Sequence, residues 1–175
     1  MVTRITSAER YIPFHPVLWS VTGVHPATAG SVQVRRAQRD DLTAVFHIEQ
    51  AVFPQPWPFA VFRRFVGEPG FLVADDGGVV GYVVADTIVG QGLAIGHIKD
   101  LAVRPDRHGE GIGGVLLARA IDALTSRPID SVKLEVRESN DRAISLYHRY
   151  GFVHRRTLPG YYADGENALV LVRMV

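Results

Sequence analysis

A glycine-rich loop is the first stretch of this chain whose residue types could do chemistry. The segment RHGEGIGG, residues 107–114, lies between the apolar run GHIKDLAV and the helix-prone run VLLARAIDALTSR. Glycine costs more conformational entropy on folding than any other residue, so the bare backbone needs a reason. Exposed N–H groups at the start of a helix form an anion site that suits a pyrophosphate. The alternative is structural: a tight turn that lets the helix pack closely.

Gly109, Gly111 and Gly114 also spell G-x-G-x-x-G, the spacing of a dinucleotide fingerprint. Three features argue against a nicotinamide cofactor. The spacer RPDRH separates the strand end at Val103 from the first glycine, and the loop lies past the middle of the chain. Glu135, the acidic residue at the required distance, lies inside a strand rather than at its end. No Gly-Lys-Ser/Thr follows, which excludes a P-loop.

The elements that must position this loop follow from hydrophobic periodicity. The pattern becomes regular at Val32, with the strand SVQVRRA and the helix RDDLTAVFHIEQAVF, for which we expect an aspartate N-cap. FAVFRRFV indicates a second short helix, and the Asp76-Gly77 pair indicates a hairpin. The remaining runs continue as strand, helix, strand, capped helix and two strands. The predicted order is β-α-α-β-β-β-α-β-α-β-β, an α/β fold with a mixed sheet and helices on both faces.

Length and composition bound the domain and its partners. A chain of 175 residues with 47% hydrophobic residues supports one domain with a core, which we place at residues 32–175. Residues 1–31 lack periodicity and an apolar signal-peptide core, so we expect a leader of unassigned role. The net charge of +1 predicts no nucleic-acid partner, and no apolar run reaches the roughly 20 residues of a membrane span. With no cysteine we expect no disulfide or thiolate metal site, and a cytoplasmic protein.

Two motifs of this chain resemble those of a known enzyme superfamily. LAVRPDRHGEGIGGVLL is similar to motif A of the GNAT N-acetyltransferases, a strand followed by V-x-P and [QR]-x-x-G-x-[GA]. LEVRESNDRAISLYHRYGF is similar to motif B, with N-x-x-A-x-x-L-Y-x-x-x-G-F intact from Asn140 to Phe152. With HIEQAVFPQPW and GYYADGENALVL, the resemblance over residues 32–175 is closest to ribosomal-protein-alanine N-acetyltransferases (the RimI type) and archaeal N-terminal acetyltransferases. It implies the GNAT fold, with a mostly antiparallel sheet of about seven strands.

The resemblance implies acetyl-CoA as co-substrate, no metal, and a cofactor site on the motif A strand and loop. The strand edge would pair with the pantetheine arm, and the loop would hold the pyrophosphate. His108 departs from the [QR] position and lacks the fixed charge of arginine, while Glu110 must point away from the pyrophosphate. Asn140 either contacts the cofactor or simply caps its helix. The implied cofactor residues are Leu101, Ala102, Val103, His108, Gly109, Glu110, Gly111, Ile112, Gly113, Gly114 and Asn140.

The resemblance also assigns the two proton-transfer roles of acetyl transfer. Tyr147 matches the general acid that protonates the departing thiolate, with an ordinary core aromatic as the alternative. Glu135 matches the general base, acting through water. Because a carboxylate inside an apolar strand is costly unless it is paired, a salt bridge to Arg137 or Arg142 is the alternative. His97, on the adjacent strand, is a rival base.

The acceptor side of the site is expected to be apolar and narrow. Phe53, Pro54, Pro56 and Trp57 form a rigid bend between the first two helices, and a pair of tyrosines lies in the final hairpin. In the family such elements flank a peptide groove, and the alternative is core and turn packing. The implied substrate residues are Phe53, Pro54, Trp57, His97, Tyr161 and Tyr162.

The expected function is transfer of acetyl from acetyl-CoA to the N-terminal α-amino group of proteins, among them a ribosomal protein, by a monomer or weak homodimer. One alternative is a GNAT enzyme that acts on a small-molecule amine or on lysine, and another is a non-catalytic acetyl-CoA-binding module. Intact Tyr147 and Glu135 argue against the module. The apolar groove argues against a polycationic substrate, which would need more carboxylates.

Overall fold

The structure of the protein is a computed structural model that describes residues 32–90 and 93–175. The predicted leader, residues 1–31, lies outside the described residues, as do residues 91 and 92. Among the helices that are described, none is long and apolar enough to cross a membrane.

The elements follow one another in the predicted order, which confirms the fold expected from periodicity. Two short 3₁₀ turns, Arg39–Asp41 and Pro105–Arg107, precede the first and third α-helices. The elements are β1 (Gln33–Arg36), α1 (Leu42–Val52), α2 (Phe59–Phe65), β2 (Phe71–Asp75), β3 (Val79–Gly90), β4 (Leu93–Val103), α3 (Ile112–Thr125), β5 (Ser131–Arg137), α4 (Asp141–Arg149), β6 (Val153–Leu158) and β7 (Ala168–Met174).

The strands form one seven-stranded sheet in the order β1-β2-β3-β4-β5-β7-β6. Every neighbouring pair is antiparallel except β4 and β5, which are parallel. A parallel pair needs a crossover connection, and α3 provides it. The mostly antiparallel mixed sheet is therefore confirmed.

Side chains alternate along the strands, so the sheet buries two separate faces. On one face, Val83 and Ala85 of β3 pack in a cluster with the apolar stripe of α3 and with Tyr147 of α4. On the other face, Tyr82 and Val84 pack in a cluster with α1 and α2. The two layers of helices leave β4 and β5 at the centre of the sheet, between both clusters.

The predicted aspartate N-cap of α1 has the correct position, but the hydrogen bond expected from its side chain is wrong. Asp41 precedes α1, but its carboxylate makes no capping hydrogen bond to the helix. It accepts instead from the backbone N–H of Gln38 at 2.7 Å and from two guanidinium nitrogens of Arg35 at 2.7 and 2.8 Å. Arg35 also donates to Asp75 at 2.7 Å. Arg35 therefore binds the Asp41 carboxylate in place of the helix N–H groups. Its second bond, to Asp75, ties β1 to the end of β2.

The cleft of the fold opens where β4 and β5 separate. Their pairing joins residues 95–98 of β4 to residues 131–134 of β5 and extends no further. On the other side of β4, Asp100 pairs with Val84 while Ile98 pairs with Ala85, so Lys99 is the extra residue of a β-bulge. Bulges bend the strand that carries them and re-aim its side chains. Residues 101–103 consequently face residues 135–137 across an open gap.

Candidate active site

The end of β4 presents an unpaired backbone edge to this gap. In the antiparallel ladder with β3, the N–H of Arg104 donates to the carbonyl of Val80, and residues at alternate positions turn their backbone groups toward and away from β3. Leu101 and Val103 therefore turn their N–H and C=O groups toward the gap. An extended pantetheine arm could pair with these groups as an added strand would.

Ala102 requires a correction to the predicted cofactor residues. Its carbonyl oxygen faces β3, 3.0 Å from the position that a Cβ on Gly81 would take. The residue is 3% exposed and packs with Tyr82 on the α1 and α2 face. Because backbone groups alternate along a strand, the pantetheine arm could pair only with the residues on either side of Ala102.

The glycine loop has the backbone geometry that an anion site needs, and binding of the pyrophosphate there stays a prediction. Gly109 and Gly111 have φ angles of +93° and +82°, in the left-handed region that side chains rarely adopt. Gly111 is the N-cap of α3, whose first N–H groups have no acceptor within the helix. Glu110 accepts from Arg107 at 2.8 Å, and Arg107 also reaches Asp76 at 2.9 Å. The negative charge of Glu110 is therefore held by Arg107, beside the β2–β3 turn, as the loop requires.

The two later glycines of the loop serve packing as well. Gly113 has only ordinary van der Waals neighbours at its Cβ position, the nearest being Leu146 at 3.6 Å. At Gly114 the hydroxyl of Tyr150 lies 2.9 Å from that position, so a side chain there would require the end of the Tyr150 side chain to shift. The side chain of Ile112 is 1% exposed in the core and leaves only its backbone for a ligand. Anion binding and close helix packing are thus compatible here.

His108, at the position where the motif has Gln or Arg, points at the strand edge. Its Nε2 lies 2.7 Å from the carbonyl oxygen of Val103. That carbonyl is one of the groups turned toward the gap. The imidazole therefore lies against the end of β4, and its contact with the cofactor stays a prediction.

Glu135 lies on the acceptor face of β5, paired with neighbours that the sequence did not indicate. Its Oε2 is 2.6 Å from Nε2 of His97, and its Oε1 is 3.5 Å from Nζ of Lys133. The salt-bridge alternative therefore holds, but with other partners, since Arg137 binds the hairpin loop and Arg142 is exposed. Burial favours a higher pKa, but the hydrogen bond and the charges of His97 and Lys133 outweigh it and lower the pKa of Glu135.

The same contact brings the two rival bases together. His97 and Glu135 form one pair rather than two separate candidates. Nδ1 of His97 is buried and makes no hydrogen bond within the described part of the chain. Nε2 of His97 is directed at the carboxylate, so the two side chains form one hydrogen-bonded unit beside the gap.

Tyr147 lies beside the gap from the α4 side. It is 8% exposed and packs edge-on against Phe152, with ring centroids 6.0 Å apart. Burial raises its pKa, and the charge of Asp100 and the neighbouring Tyr162 act in the same direction. The phenol is therefore protonated at neutral pH, as a proton donor must be. Core packing and an acid role are compatible for this side chain.

The loop between β6 and β7 is fastened to the end of β5. Arg137 donates to Asp164 at 2.8 Å and to Glu166 at 2.6 Å. Two hydrogen bonds from Ser139, together with Arg137, lower the pKa of Glu166 to about 2. These contacts order the hairpin loop against β5 without help from the core.

The paired tyrosines of that loop contact each other and Arg137, and their contact with a substrate stays a prediction. Their rings meet edge-on at 5.2 Å, and the guanidinium of Arg137 lies 3.9 Å from the centre of the Tyr162 ring. Burial raises the pKa of Tyr162 to about 12, and the charge of Glu135 contributes. Tyr161 is exposed and Tyr162 is half-buried, so both can contact a ligand in the groove.

The bend at residues 53–58 is fixed to the core, and Trp57 has the packing contacts that were the alternative to a substrate contact. Its ring stacks on Phe65 at 6.2 Å and contacts Phe62 at 5.7 Å, so it belongs to the α2 packing layer. Its backbone N–H donates to Oε1 of Glu49 at 2.6 Å. Of the other predicted substrate residues, Phe53 packs partly against the same core and Pro54 is exposed.

Asn140 caps α4, which is the simpler of the two interpretations of this residue. Its Oδ1 accepts from the backbone N–H of Ala143 at 3.1 Å. A cofactor contact through its remaining amide group stays a prediction.

The sequence interpretation missed three connected residues on the face of the sheet that α1 and α2 cover: Glu49 and Tyr82, which are buried, and Asp100, which is partly exposed. The hydroxyl of Tyr82 lies between the carboxylates of Glu49 and Asp100. The signal was available, because Asp100 interrupts an apolar strand and Glu49 lies on the apolar side of α1. Both are the same kind of exception that drew attention to Glu135.

A glycine cradle, an open strand edge and a paired carboxylate around one gap match a known protein family. The profile of the acetyltransferase (GNAT) family matches residues 42–152. The chain belongs to this family.

Individual relatives extend the similarity over most of the domain. An N-alpha-acetyltransferase of Sulfolobus acidocaldarius is 34% identical over 79% of this chain and 90% of the relative. The ribosomal protein bS18-alanine N-acetyltransferase of Escherichia coli is 32% identical over 75% of this chain and 89% of its own length. The crystal structure of Ard1 from Thermoplasma volcanium superposes with a TM-score of 0.77 at 30% identity, covering 83% of this chain and 99% of that one.

As a GNAT acetyltransferase, the chain is an acetyl-CoA-dependent N-acetyltransferase. The residues present fit this co-substrate. The C=O of Leu101 and the N–H of Val103 offer backbone partners for an amide-containing arm, and the left-handed glycines at the start of α3 leave room for a pyrophosphate. Within the described ranges, no group of three or more His, Cys, Asp or Glu side chains could hold a metal ion.

Proposed function

We propose that this enzyme acetylates the N-terminal α-amino group of proteins, with Glu135 as the base and Tyr147 as the acid. The observation that carries the proposal is that two segments, one on each side of the proposed acceptor site, are held in place by side-chain hydrogen bonds. The bend at residues 53–58 is tied to Glu49 on one side, and the β6–β7 loop is tied to Arg137 on the other. A groove with two fixed walls admits a chain terminus more readily than an internal loop.

The names of the relatives support the same class of acceptor. One relative is an N-alpha-acetyltransferase, and another acts on the alanine of ribosomal protein bS18. We therefore propose protein N-termini that begin with a small residue such as Ala or Ser, or with Met, as the acceptors. A ribosomal protein is one candidate among them.

The ionisable groups suit the proton transfers of amide formation. Glu135 is ionised at neutral pH because His97 and Lys133 lower its pKa, so it can accept a proton from the attacking nitrogen through water. Tyr147 keeps its proton at neutral pH because burial raises its pKa, so it can donate to the thiolate as the thioester bond breaks. The acid and the base thus approach the gap from different elements, α4 and β5.

The acceptor must be a neutral amine when it attacks, which favours α-amines. An α-amino group with a pKa near 7.7–8.0 is roughly one-tenth neutral at pH 7, whereas a lysine near 10.4 is neutral in only about one molecule in two thousand. A carboxylate with a lowered pKa is a weak base, so it is better matched to the more acidic ammonium.

The test incubates a panel of peptides with the enzyme and acetyl-CoA. Release of the CoA thiol measures the rate, and mass spectrometry locates the acetyl group on the product. Peptides with a free Ala, Ser or Met terminus should be acetylated at that terminus. The same peptides, blocked at the terminus and carrying an internal lysine, should be nearly inert. Acetyl groups found chiefly on lysine Nζ, or turnover only with small amines, would replace this proposal by the small-amine or lysine alternative.

A further inference from the structure

A buried network of three residues joins α1, β3 and β4 beneath the acceptor face. The hydroxyl of Tyr82 lies 2.8 Å from Oδ2 of Asp100 and also contacts Oε2 of Glu49. Glu49 is 1% exposed and Tyr82 is fully buried, whereas Asp100 keeps part of its surface exposed. The other oxygen of Glu49 accepts from the backbone N–H of Trp57 at 2.6 Å. Asp100 is therefore the only end of the network that a ligand can reach.

The hydrogen-bond geometry fixes the number of protons in the network. A phenol has one proton to donate, so it can serve only one of two ionised carboxylates. The second contact requires that one carboxyl be protonated and donate to the phenol oxygen. Glu49 and Asp100 thus share one proton and carry one negative charge between them, as two carboxyls in one buried site do. Burial and mutual repulsion raise the pKa of Asp100 well above its usual value and burial raises that of Glu49.

Among the described residues, this negative charge has no cationic partner. In the ranges that the structure describes, the groups bonded to the two carboxyls are the Tyr82 hydroxyl, the backbone of Trp57 and Leu101, and each other. Neither carboxyl makes an ion pair with lysine, arginine or histidine in that part of the chain. The neighbouring Asp86 differs, because Nζ of Lys99 lies 3.3 Å from it. A buried charge without a counter-ion is costly, and a bound cation would remove that cost.

Asp100 lies where the cationic acceptor amine of the proposed reaction would bind. It follows the β-bulge at Lys99 and precedes Leu101, at the point where β4 leaves β5. Its charge acts on Tyr147, the proposed acid on the far side of the gap. Its side chain shares the face of Tyr82 and Glu49, on which Glu135 and His97 also lie. Asp100 therefore lies at the edge of the gap, on the same face of the sheet as Glu135.

We propose that Asp100 receives the α-ammonium of the acceptor peptide and that the Asp100–Tyr82–Glu49 network takes up the first proton it loses. The inference rests on the proposed function and deepens it. Conversion of an ammonium to an amide releases two protons. The first passes to the network, which becomes neutral and leaves a neutral amine. The second passes to Glu135 as the C–N bond forms, while Tyr147 protonates the leaving thiolate and regains its proton from these acceptors. One proton reaches solvent in each turnover.

The test measures recognition of the ammonium without turnover. A peptide with a free Ala terminus is compared with the same peptide carrying propionyl in place of alanyl, which keeps the shape and removes the amine. Isothermal titration in the presence of CoA at pH 7 gives the two affinities. We expect the wild-type protein to prefer the ammonium peptide at least about tenfold, since hydrogen bonds to charged groups are the strong ones.

The variants are Asp100→Asn and, as a matched control, Asp86→Asn, which removes a carboxylate from the same face where Lys99 already balances it. Asp100→Asn should reduce the preference to less than about twofold, because the remaining charge then resides on Glu49, out of reach of a ligand. Asp86→Asn should keep it. Asp100→Ser, which can still accept from Tyr82, is a second variant if the first does not fold, as judged by thermal unfolding and CoA affinity.

The inference is overturned if the wild-type protein binds both peptides with equal affinity. It is also overturned if the preference for the ammonium peptide survives in Asp100→Asn, or if it disappears equally in Asp86→Asn. Failure of the proposed function looks different. In that case the wild-type enzyme produces no α-acetylated peptide by mass spectrometry, whatever the variants do to binding.

Discussion

The two sides of the cleft are built from different groups. On the cofactor side, between β4 and α3, the lining is backbone: the free edge at Leu101 and Val103 and the left-handed glycines. On the acceptor side, the lining is ionisable side chains with perturbed pKa values, among them Glu135, Asp100 and Tyr162.

This difference suits the two ligands of the proposed reaction. Acetyl-CoA offers amides and a pyrophosphate, which backbone N–H and C=O groups can bind whatever side chains are present. The acceptor brings an amine whose protonation state must change during the reaction, and only titratable side chains can accept its protons. Variants on the two sides should therefore separate cleanly into binding effects and rate effects.

The largest expected effect is that of Tyr147→Phe on the acceptor side. Loss of a general acid should lower kcat by about 10²–10⁴-fold, while the edge-on contact of the ring with Phe152 is retained. Steady-state kinetics would give kcat, and titration should show an unchanged Kd for acetyl-CoA. An unchanged kcat, under conditions where chemistry limits the rate, would return Tyr147 to a packing role.

Glu135→Gln should lower kcat/KM by about 10²-fold, the lower end of the range for acid–base catalysis, because His97 partly substitutes as an acceptor. The acidic limb of the kcat/KM pH profile should move or flatten, since that limb reports protonation of Glu135, whose pKa is lowered by His97 and Lys133.

His97→Ala is the matched comparison within the same pair and should mainly raise KM. The reverse pattern, a flattened limb for His97→Ala and a higher KM for Glu135→Gln, would assign the base to His97.

Gly111→Val tests the cofactor side. Its φ of +82° costs an L-residue about 1–2 kcal/mol, and the branched side chain would enter the cradle, so the Kd for acetyl-CoA should rise about tenfold or more. Gly67→Val is the control, because Gly67 has a φ of +95° after α2, outside the cleft. Equal affinity in both variants would show that the loop does not bind the cofactor.

The smallest effect on activity is expected outside both sides, at Asp41. Asp41→Asn should lower the free energy of unfolding by about 1–3 kcal/mol at pH 7, because Arg35 loses a charged partner, and should leave kcat unchanged. The hydrogen bond from Arg35 lowers the pKa of Asp41 in the folded state. The stabilisation is therefore complete above the unfolded pKa near 3.9 and disappears as the pH falls through the lower folded value.

Urea denaturation of wild type and Asp41→Asn at pH 7 and pH 3 checks the sign of this effect. The two curves should approach each other at the lower pH. A difference that stays constant would mean that packing, and not the ion pair, is responsible.

The cofactor side was largely predictable because its information is local. A strand, a proline, a glycine loop and a helix start lie within one contiguous stretch, and the backbone angles at Gly109 and Gly111 follow from the absence of a side chain. The order of the elements was predictable for the same reason, since the hydrophobic period of each segment is local. The direction in which the backbone groups of Ala102 turn was not predictable, because it depends on pairing with β3.

The sequence by itself determined the family motifs, the order of strands and helices, and the presence of Glu135 and Tyr147 in unusual settings. Only the tertiary structure decided their partners. Glu135 pairs with His97, 38 residues away, and Tyr82 bonds with Glu49, 33 residues away, because strand order and side-chain alternation bring these residues to one face. Since pKa values depend on burial and charged neighbours, and both arise from such long-range contacts, the chemistry of the acceptor side could be placed only once the sheet was known.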